Sequence, residues 1–203
     1  GNAVVIAMGD AGVATRLVPE RFGSRWTYAG HAVAPGQIPT TRLLGEFRYR
    51  QAGTAARLFG VVSPNAMHSL SPRMHNAAFA AAGIDAVYLP LAAADFTDFL
   101  EFADALGVEG ASITIPYKLD ALAAAADADT RTRAVGAANT LKRHASGWAA
   151  TNTDVDGFLM PLADAYAILF TAPLLITALS AAVLGERVGW RRWIAVGVGF
   201  TGV

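Results

Sequence analysis

Short apolar runs alternate with amphipathic stretches along most of this chain. Residues Ala3–Met8 (AVVIAM), Arg25–Ala29 and Leu58–Val62 have the length and composition of strands. Pro72–Ala82 carries an apolar face of helical period and stops at Gly83. Ala86–Pro90 reads as a strand, and Asp95 caps a helix that runs to Leu106 before Gly107. Ala111–Ile115 predicts a further strand and Pro116–Ala126 an alanine-rich helix. Asn139–Arg143 and Trp148–Thr151 predict two strands on either side of a turn at Ala145–Gly147. Strands alternating with helices of this length make βαβ units. The expected architecture is therefore α/β, a three-layer α/β/α domain around a mostly parallel sheet. Residues 39–57 (PTTRLLGEFRYRQAGTAAR) read as a connector. The pattern then changes: Ala165–Leu184 is a run of 20 uncharged residues. As a helix it would be about 30 Å long, the thickness of a hydrocarbon core.

Composition sharpens this division. Lys and Arg total 16 and Asp and Glu total 16, so the net charge is zero, and 54% of the residues are hydrophobic. Mean hydropathy is +0.37, and the apolar tail accounts for much of it. The charge balance is a sum over unlike parts, since residues 1–60 run basic and residues 61–162 run acidic. Zero net charge argues against nucleic acid as a partner, which calls for a basic footprint. The absence of cysteine excludes a disulfide framework, a thiolate metal site and a cysteine nucleophile, and it fits a reducing, cytoplasmic setting. No metal-ligand spacing stands out. The sequence shows no secretory signal and no initiating Met, and both ends read as cut.

Four polar clusters carry candidate chemistry. Ser69 and Ser71 precede Pro72 at a helix start. Ser71 reads as the cap, and two hydroxyls beside free backbone N–H groups also suit a carboxylate. Ser112-Ile113-Thr114-Ile115-Pro116-Tyr117-Lys118 alternates into a second helix start. Lys118 stands in its first turn, where a cation opposes the helix dipole. It is either a solvated surface lysine or one held beside a substrate to exchange a proton. Gly136–Thr140, with Asn139, and Thr151–Gly157, with Asp154, read equally as polar turns and caps. Together the clusters offer hydroxyls, an amide, a lysine and a carboxylate, a set suited to a small polyhydroxylated acid.

The motifs SLSPRMHN, GASITIPYK, GAANTL and NTDVDG, in this order, resemble the N-terminal, substrate-binding half of shikimate dehydrogenase across residues 58–162. The resemblance implies that Ser69 and Ser71 bind the shikimate carboxylate and that Thr114, Asn139 and Lys118 contact the ring hydroxyls. Lys118 would exchange the proton as NADP takes or gives hydride at the ring, and Asp154 would pair with Lys118. Ser112 stands where Asn is common and is not implied as a contact. The implied function is NADP-dependent reduction of 3-dehydroshikimate to shikimate. A binding module without turnover is the alternative, as is part of a membrane transporter fusion.

Residues 1–38, through IAMG, TR, FGS, TYA and APGQ, resemble the C-terminal end of type I dehydroquinate dehydratase, a TIM barrel. Arg16 and Gln37 match its substrate-binding positions. Val33 replaces the usual hydroxyl residue, and the Schiff-base lysine and its histidine have no counterpart in this segment. This order of segments resembles the fused bifunctional enzyme. Residues 163–203 resemble a hairpin of an EamA-type transporter, an apolar helical tail expected to contact a membrane or a partner. Gly197–Gly202 satisfies G-x-G-x-x-G but lacks the helix and downstream acid of a dinucleotide site, so it reads as membrane-helix glycine. The expected domains are thus 1–38, 39–57, 58–162 and 163–203. With no nucleotide domain in the sequence, the chain alone is expected to be inactive.

Overall fold

In the computed structural model, residues 3–31, 34–160, 189, 190 and 194 are described. The chain separates into two compact units, residues 1–152 and residues 153–203.

The first unit is built on a six-stranded sheet. Its strands are β1 (Arg57–Val62), β2 (Ala86–Leu91), β3 (Val108–Ile113), β4 (Asp127–Ala128), β5 (Thr140–His144) and β6 (Gly147–Thr151), in the order β2-β1-β3-β5-β6-β4. β1 lies parallel to both β2 and β3, with Val62 opposite Leu91 and Ile113. β5 runs antiparallel to β3 and to β6, and β4 is parallel to β6. Three of the five pairings are thus parallel, in keeping with the mostly parallel sheet expected, and two are antiparallel. The turn at 145–147 is too short for a crossover, so β5 and β6 form an antiparallel hairpin.

Six helices complete the unit: α1 (Ala14–Leu17), α2 (Thr40–Gly45), α3 (Ser71–Ala81), α4 (Phe96–Leu106), α5 (Lys118–Ala123) and α6 (Thr130–Val135). The two-residue period of β1 sorts its side chains onto two faces. Leu58 and Val62 join the larger apolar cluster, with Phe96, Phe99 and Leu106 of α4 and Trp148 of β6. Phe59 and Val61 meet Tyr88 and Phe79 of α3 on the other face. β2 is buried along its whole length, as expected of a parallel strand covered on both sides. Gly60 is required at its position, because a Cβ there would lie 2.5 Å from Leu91 Cδ1 and 2.7 Å from the Leu89 carbonyl oxygen.

The Asp95 cap forms as expected. Its carboxylate accepts the Asp98 N–H at 2.9 Å, and Gly107 ends α4 in the left-handed conformation at φ 73°. Asp95→Ala should lower the unfolding free energy by about 1 kcal/mol in urea denaturation, through loss of that cap.

Three features differ from expectation. Residues 3–8 and 25–29 form no strand and lie outside the sheet. Side chains take the place of strand partners there: the Val5 N–H donates to Ser24 Oγ at 2.8 Å and the Ala7 N–H to Thr15 Oγ1 at 3.1 Å. α5 begins at Lys118 rather than Pro116, because the Tyr117 N–H first closes a turn on the Thr114 carbonyl. β4 and α6 were not anticipated. Asp129 caps α6 by accepting the Thr132 N–H at 2.8 Å and the Thr132 hydroxyl at 2.8 Å. These bonds hold the Asp129 carboxyl below its ordinary 3.8.

Residues 39–57 are packed rather than extended. Leu43 and Phe47 are buried in the larger cluster, and the Arg48 guanidinium donates to the carbonyls of Ile84 and Ala86 at 2.9 Å. In the second unit a helix begins at residue 154. The transporter-like tail, the G-x-G-x-x-G run and Val33 fall outside the described residues, apart from Gly189, Trp190 and Ile194. Among the described residues no helix is long and apolar enough to cross a membrane.

Candidate functional site

The parallel pair β1 and β3 ends at one edge of the sheet. The connections leaving it carry most of the polar residues singled out above. The loop after β1 delivers Ser69 and Ser71 to the start of α3. The helix begins at Ser71 itself, so this serine is not the cap. Ser69 Oγ instead accepts the Ser71 N–H at 3.1 Å and satisfies one of the free donors of the first turn. Both serines are half-buried.

Backbone hydrogen bonds draw the remaining residues to the same edge. The Thr114 N–H donates to the Val62 carbonyl at 3.3 Å, which joins the ends of β3 and β1. The Ile113 N–H donates to the Asn139 carbonyl at 2.7 Å, and the Asn139 N–H donates to that of Thr151 at 3.1 Å. The Ala138 N–H donates to the Lys118 carbonyl at 2.9 Å, fixing the start of α5 beside the start of β5. Asn152 is buried, and its Nδ2 donates to the Ala137 carbonyl at 2.8 Å. The antiparallel β5 thus brings Asn139 to the edge where β3 delivers Thr114 and Lys118. Thr114 is exposed, and Lys118 and Asn139 are half-buried. Asp154 belongs to the second unit, where it is exposed at the first turn of its helix.

The edge is open and partly apolar. Leu70, Met74, Ile115 and Leu119 flank the polar residues and are 77%, 61%, 76% and 66% exposed. Four large apolar side chains around a polar centre mark a surface suited to being covered.

Arg16 and Gln37 form a separate group. Arg16 is buried on α1, and its NH groups donate to the carbonyls of Tyr28 at 3.4 Å and Pro35 at 3.5 Å. Gln37 Oε1 accepts the Ala34 N–H at 3.2 Å. Both side chains converge on the 34–37 loop, and α1 packs along β2 rather than at the ends of β1 and β3.

Sequence reasoning overlooked a polar stack on the sheet face beneath α3. The Tyr88 hydroxyl donates to Ser112 Oγ at 2.6 Å, and the His75 ring stacks on Tyr88 with centroids 4.3 Å apart. Tyr88 on β2 and Ser112 on β3 meet across the intervening β1, and only the strand order and register make them neighbours. Burial pushes the Tyr88 hydroxyl above its ordinary 10.0 and the His75 imidazole below 6.5. An NMR titration of His75 should therefore give a midpoint below 6.5. A histidine that resists protonation when folded adds no cost above the unfolded value. It lowers stability as pH falls from 6.5 toward the folded midpoint, because the unfolded chain takes up the proton first.

Among the described residues no three His, Cys, Asp or Glu side chains cluster as a metal site. The strand-to-helix connections after β1, β2, β3 and β4 lack a glycine-rich phosphate turn, so no described connection fits a dinucleotide cofactor.

A mixed α/β unit with hydroxyl, amide and ammonium groups gathered at the carboxyl ends of parallel strands has the arrangement in which open-sheet enzymes bind their ligands. Residues 61–141 match the family model described as the shikimate dehydrogenase substrate binding domain. Among curated proteins, the chain is 47% identical over 110 residues to a shikimate dehydrogenase (NADP(+)) from Microcystis aeruginosa. The alignment covers 52% of this chain and 38% of that protein. A chloroplastic bifunctional 3-dehydroquinate dehydratase/shikimate dehydrogenase from Arabidopsis thaliana is 30% identical over 165 residues, covering 78% of this chain and 27% of that one. Among solved structures, shikimate dehydrogenase from Aquifex aeolicus aligns with TM-score 0.51 at 32% identity, over 53% of this chain and 41% of that one. Shikimate 5-dehydrogenase from Listeria monocytogenes, in complex with shikimate and NAD, aligns with TM-score 0.52 at 29% identity, over 57% and 41%. The chain spans about two fifths of the length of the shikimate dehydrogenases it matches.

Proposed function

We propose that residues 58–162 are the substrate-binding half of a shikimate dehydrogenase that acts in NADP-dependent reduction of 3-dehydroshikimate to shikimate. The observation that carries this reading is the convergence of Ser69, Ser71, Thr114, Lys118 and Asn139 on one sheet edge, within or beside the segment that matches the family. Ser69 and Ser71 receive the substrate carboxylate through their hydroxyls at the start of α3, at the positive end of the helix dipole. Thr114 and Asn139 hydrogen-bond the ring hydroxyls. Lys118 exchanges the proton at the ring oxygen that changes between ketone and alcohol, and Asp154, in NTDVDG, is the second catalytic residue that the family resemblance implies. NADP supplies or accepts the hydride. The described residues offer it no fitting turn, so the work assigned to them is binding, orientation and proton exchange. The apolar rim of Leu70, Met74, Ile115 and Leu119 supports closure of the site against a second surface, which would exclude water from that exchange.

Calorimetric titration of shikimate into the chain tests the proposal. Binding is expected to be weak. Ser69→Ala/Ser71→Ala should reduce the affinity by about 10- to 100-fold, the equivalent of one or two lost charge-assisted hydrogen bonds. No heat from the intact chain would reject the reading, and heat indifferent to the double substitution would reject the carboxylate assignment.

The N-terminal segment supports a narrower proposal, a connection to dehydroquinate dehydratase. The 165-residue alignment to the bifunctional Arabidopsis protein is longer than residues 58–162 and must include flanking chain. Arg16 and Gln37 converging on one loop fit a shared carboxylate-binding role in that segment.

A further inference from the structure

At the amino ends of β1 and β2, opposite the edge that carries Ser69 and Lys118, lies a cavity of about 330 Å³. Its walls are residues 17–25 and 47–58, and its lining includes Leu58 and Val87. That volume is at the small end of the range for small-molecule sites. Four arginines line it, Arg21, Arg25, Arg48 and Arg50, against a single acid, Glu20. Among the described residues none of the four pairs with a carboxylate. Arg21 donates to the Ala56 carbonyl at 2.6 Å and Arg48 to those of Ile84 and Ala86.

Arg48 is the informative member. It is only 9% exposed, and its Nε is buried without any acceptor. Its backbone sits at φ 55°, in the left-handed region that a non-glycine side chain rarely adopts. The fold thus holds a guanidinium in an unfavourable backbone conformation and leaves one of its donors unsatisfied. A buried cation balanced only by carbonyl dipoles carries a desolvation cost that an anion would offset. Guanidinium forks match the planar or tetrahedral arrays of oxyanions, and Tyr49 lines the same cavity.

We propose that this cavity binds a small multivalent oxyanion, a molecule bearing phosphate groups or clustered carboxylates, at a site separate from the proposed shikimate site. Arg48 holds the anion from within, and Arg25 and Arg50, both exposed, complete the ring of charge at the mouth.

Isothermal titration of the full chain with pyrophosphate and, separately, with citrate at about 20 mM and 200 mM salt tests this. One-to-one binding to either probe, weakening as salt rises, is expected. Pyrophosphate alone would assign phosphate chemistry, citrate alone carboxylate chemistry, and both the shared class. Arg25→Gln/Arg50→Gln changes only exposed side chains and should leave the circular dichroism and shikimate binding as they are, while lowering anion affinity at least tenfold. Arg48→Lys keeps the charge but loses the fork, and should also weaken binding. The proposal is overturned if neither probe gives heat, or if the measured affinity is indifferent to the Arg25→Gln/Arg50→Gln change.

Discussion

Asn76→Ala should destabilise the first unit by about 3–5 kcal/mol, more than any capping change in this fold. Asn76 is 1% exposed, and its amide is used at both ends. Nδ2 donates to the carbonyls of Glu46 and Tyr88, each at 2.9 Å, and Oδ1 accepts the Tyr88 N–H at 2.8 Å. One side chain on α3 thereby satisfies both backbone groups of Tyr88 on β2 and ties the 39–57 segment to the sheet. Alanine removes three hydrogen bonds of about 1 kcal/mol each and leaves partners buried without replacements. Urea denaturation followed by circular dichroism measures the loss, and a change below about 1 kcal/mol would refute the account. Asn76→Asp separates hydrogen bonding from packing. It keeps the volume and the acceptor but turns the donor into a second acceptor facing two carbonyls. Its stability should recover as pH falls and the carboxyl gains a proton to donate.

Asn76 also shows where sequence reading reached its limit. It stands in SLSPRMHN, a stretch that drew attention as a binding motif, and part of that motif is architecture. Ser69 and Ser71 face the sheet edge, whereas Asn76, one turn further along α3, locks the helix to β2. Local signals identified the elements that depend on local chemistry: the Asp95 cap, the glycine stops at Gly83 and Gly107, and the apolar runs of β1 and β2. They missed α6 because the segment ADADTRTRAV buries little; Thr132 is the helix's one buried residue, and only Asp129 before the helix and Gly136 after it marked the element. They overcalled residues 3–8 and 25–29, where the length and composition of a strand were present but strand partners were not. A strand is a pairing, and the sequence of one segment does not contain its neighbour. The same holds for the site. Four clusters could be listed from the sequence, but the antiparallel β5 that brings Asn139 beside Thr114 and Lys118 follows from register.

Lys118→Ala should remove the proton exchange proposed for this site, so that any NADPH-dependent 3-dehydroshikimate reduction supported by these residues once a nucleotide-binding domain is supplied falls by about 10²- to 10⁴-fold, the usual contribution of a positioned acid or base. Its effect on shikimate affinity should be smaller than that of the double serine change, since the carboxylate anchor remains. The structural basis is placement. Lys118 opens α5, where a cation opposes the helix dipole, and its carbonyl is bonded to Ala138 beside Asn139. A surface lysine selected only for solubility has no reason to occupy that position. Labelling provides an assay that does not depend on turnover, because Lys118 and Lys142 are the only lysines in the chain. Lys142 is exposed on β5 and serves as the internal reference. An amine-acylating reagent should modify both in the free chain. Saturating shikimate should protect Lys118 and leave Lys142 unchanged, and the Ser69→Ala/Ser71→Ala variant should lose that protection at the same concentration. Equal labelling of both lysines with and without bound shikimate would remove Lys118 from the site. Turnover without protection would point to proton exchange by another group, and protection without turnover would favour a module that binds shikimate without reducing its ketone.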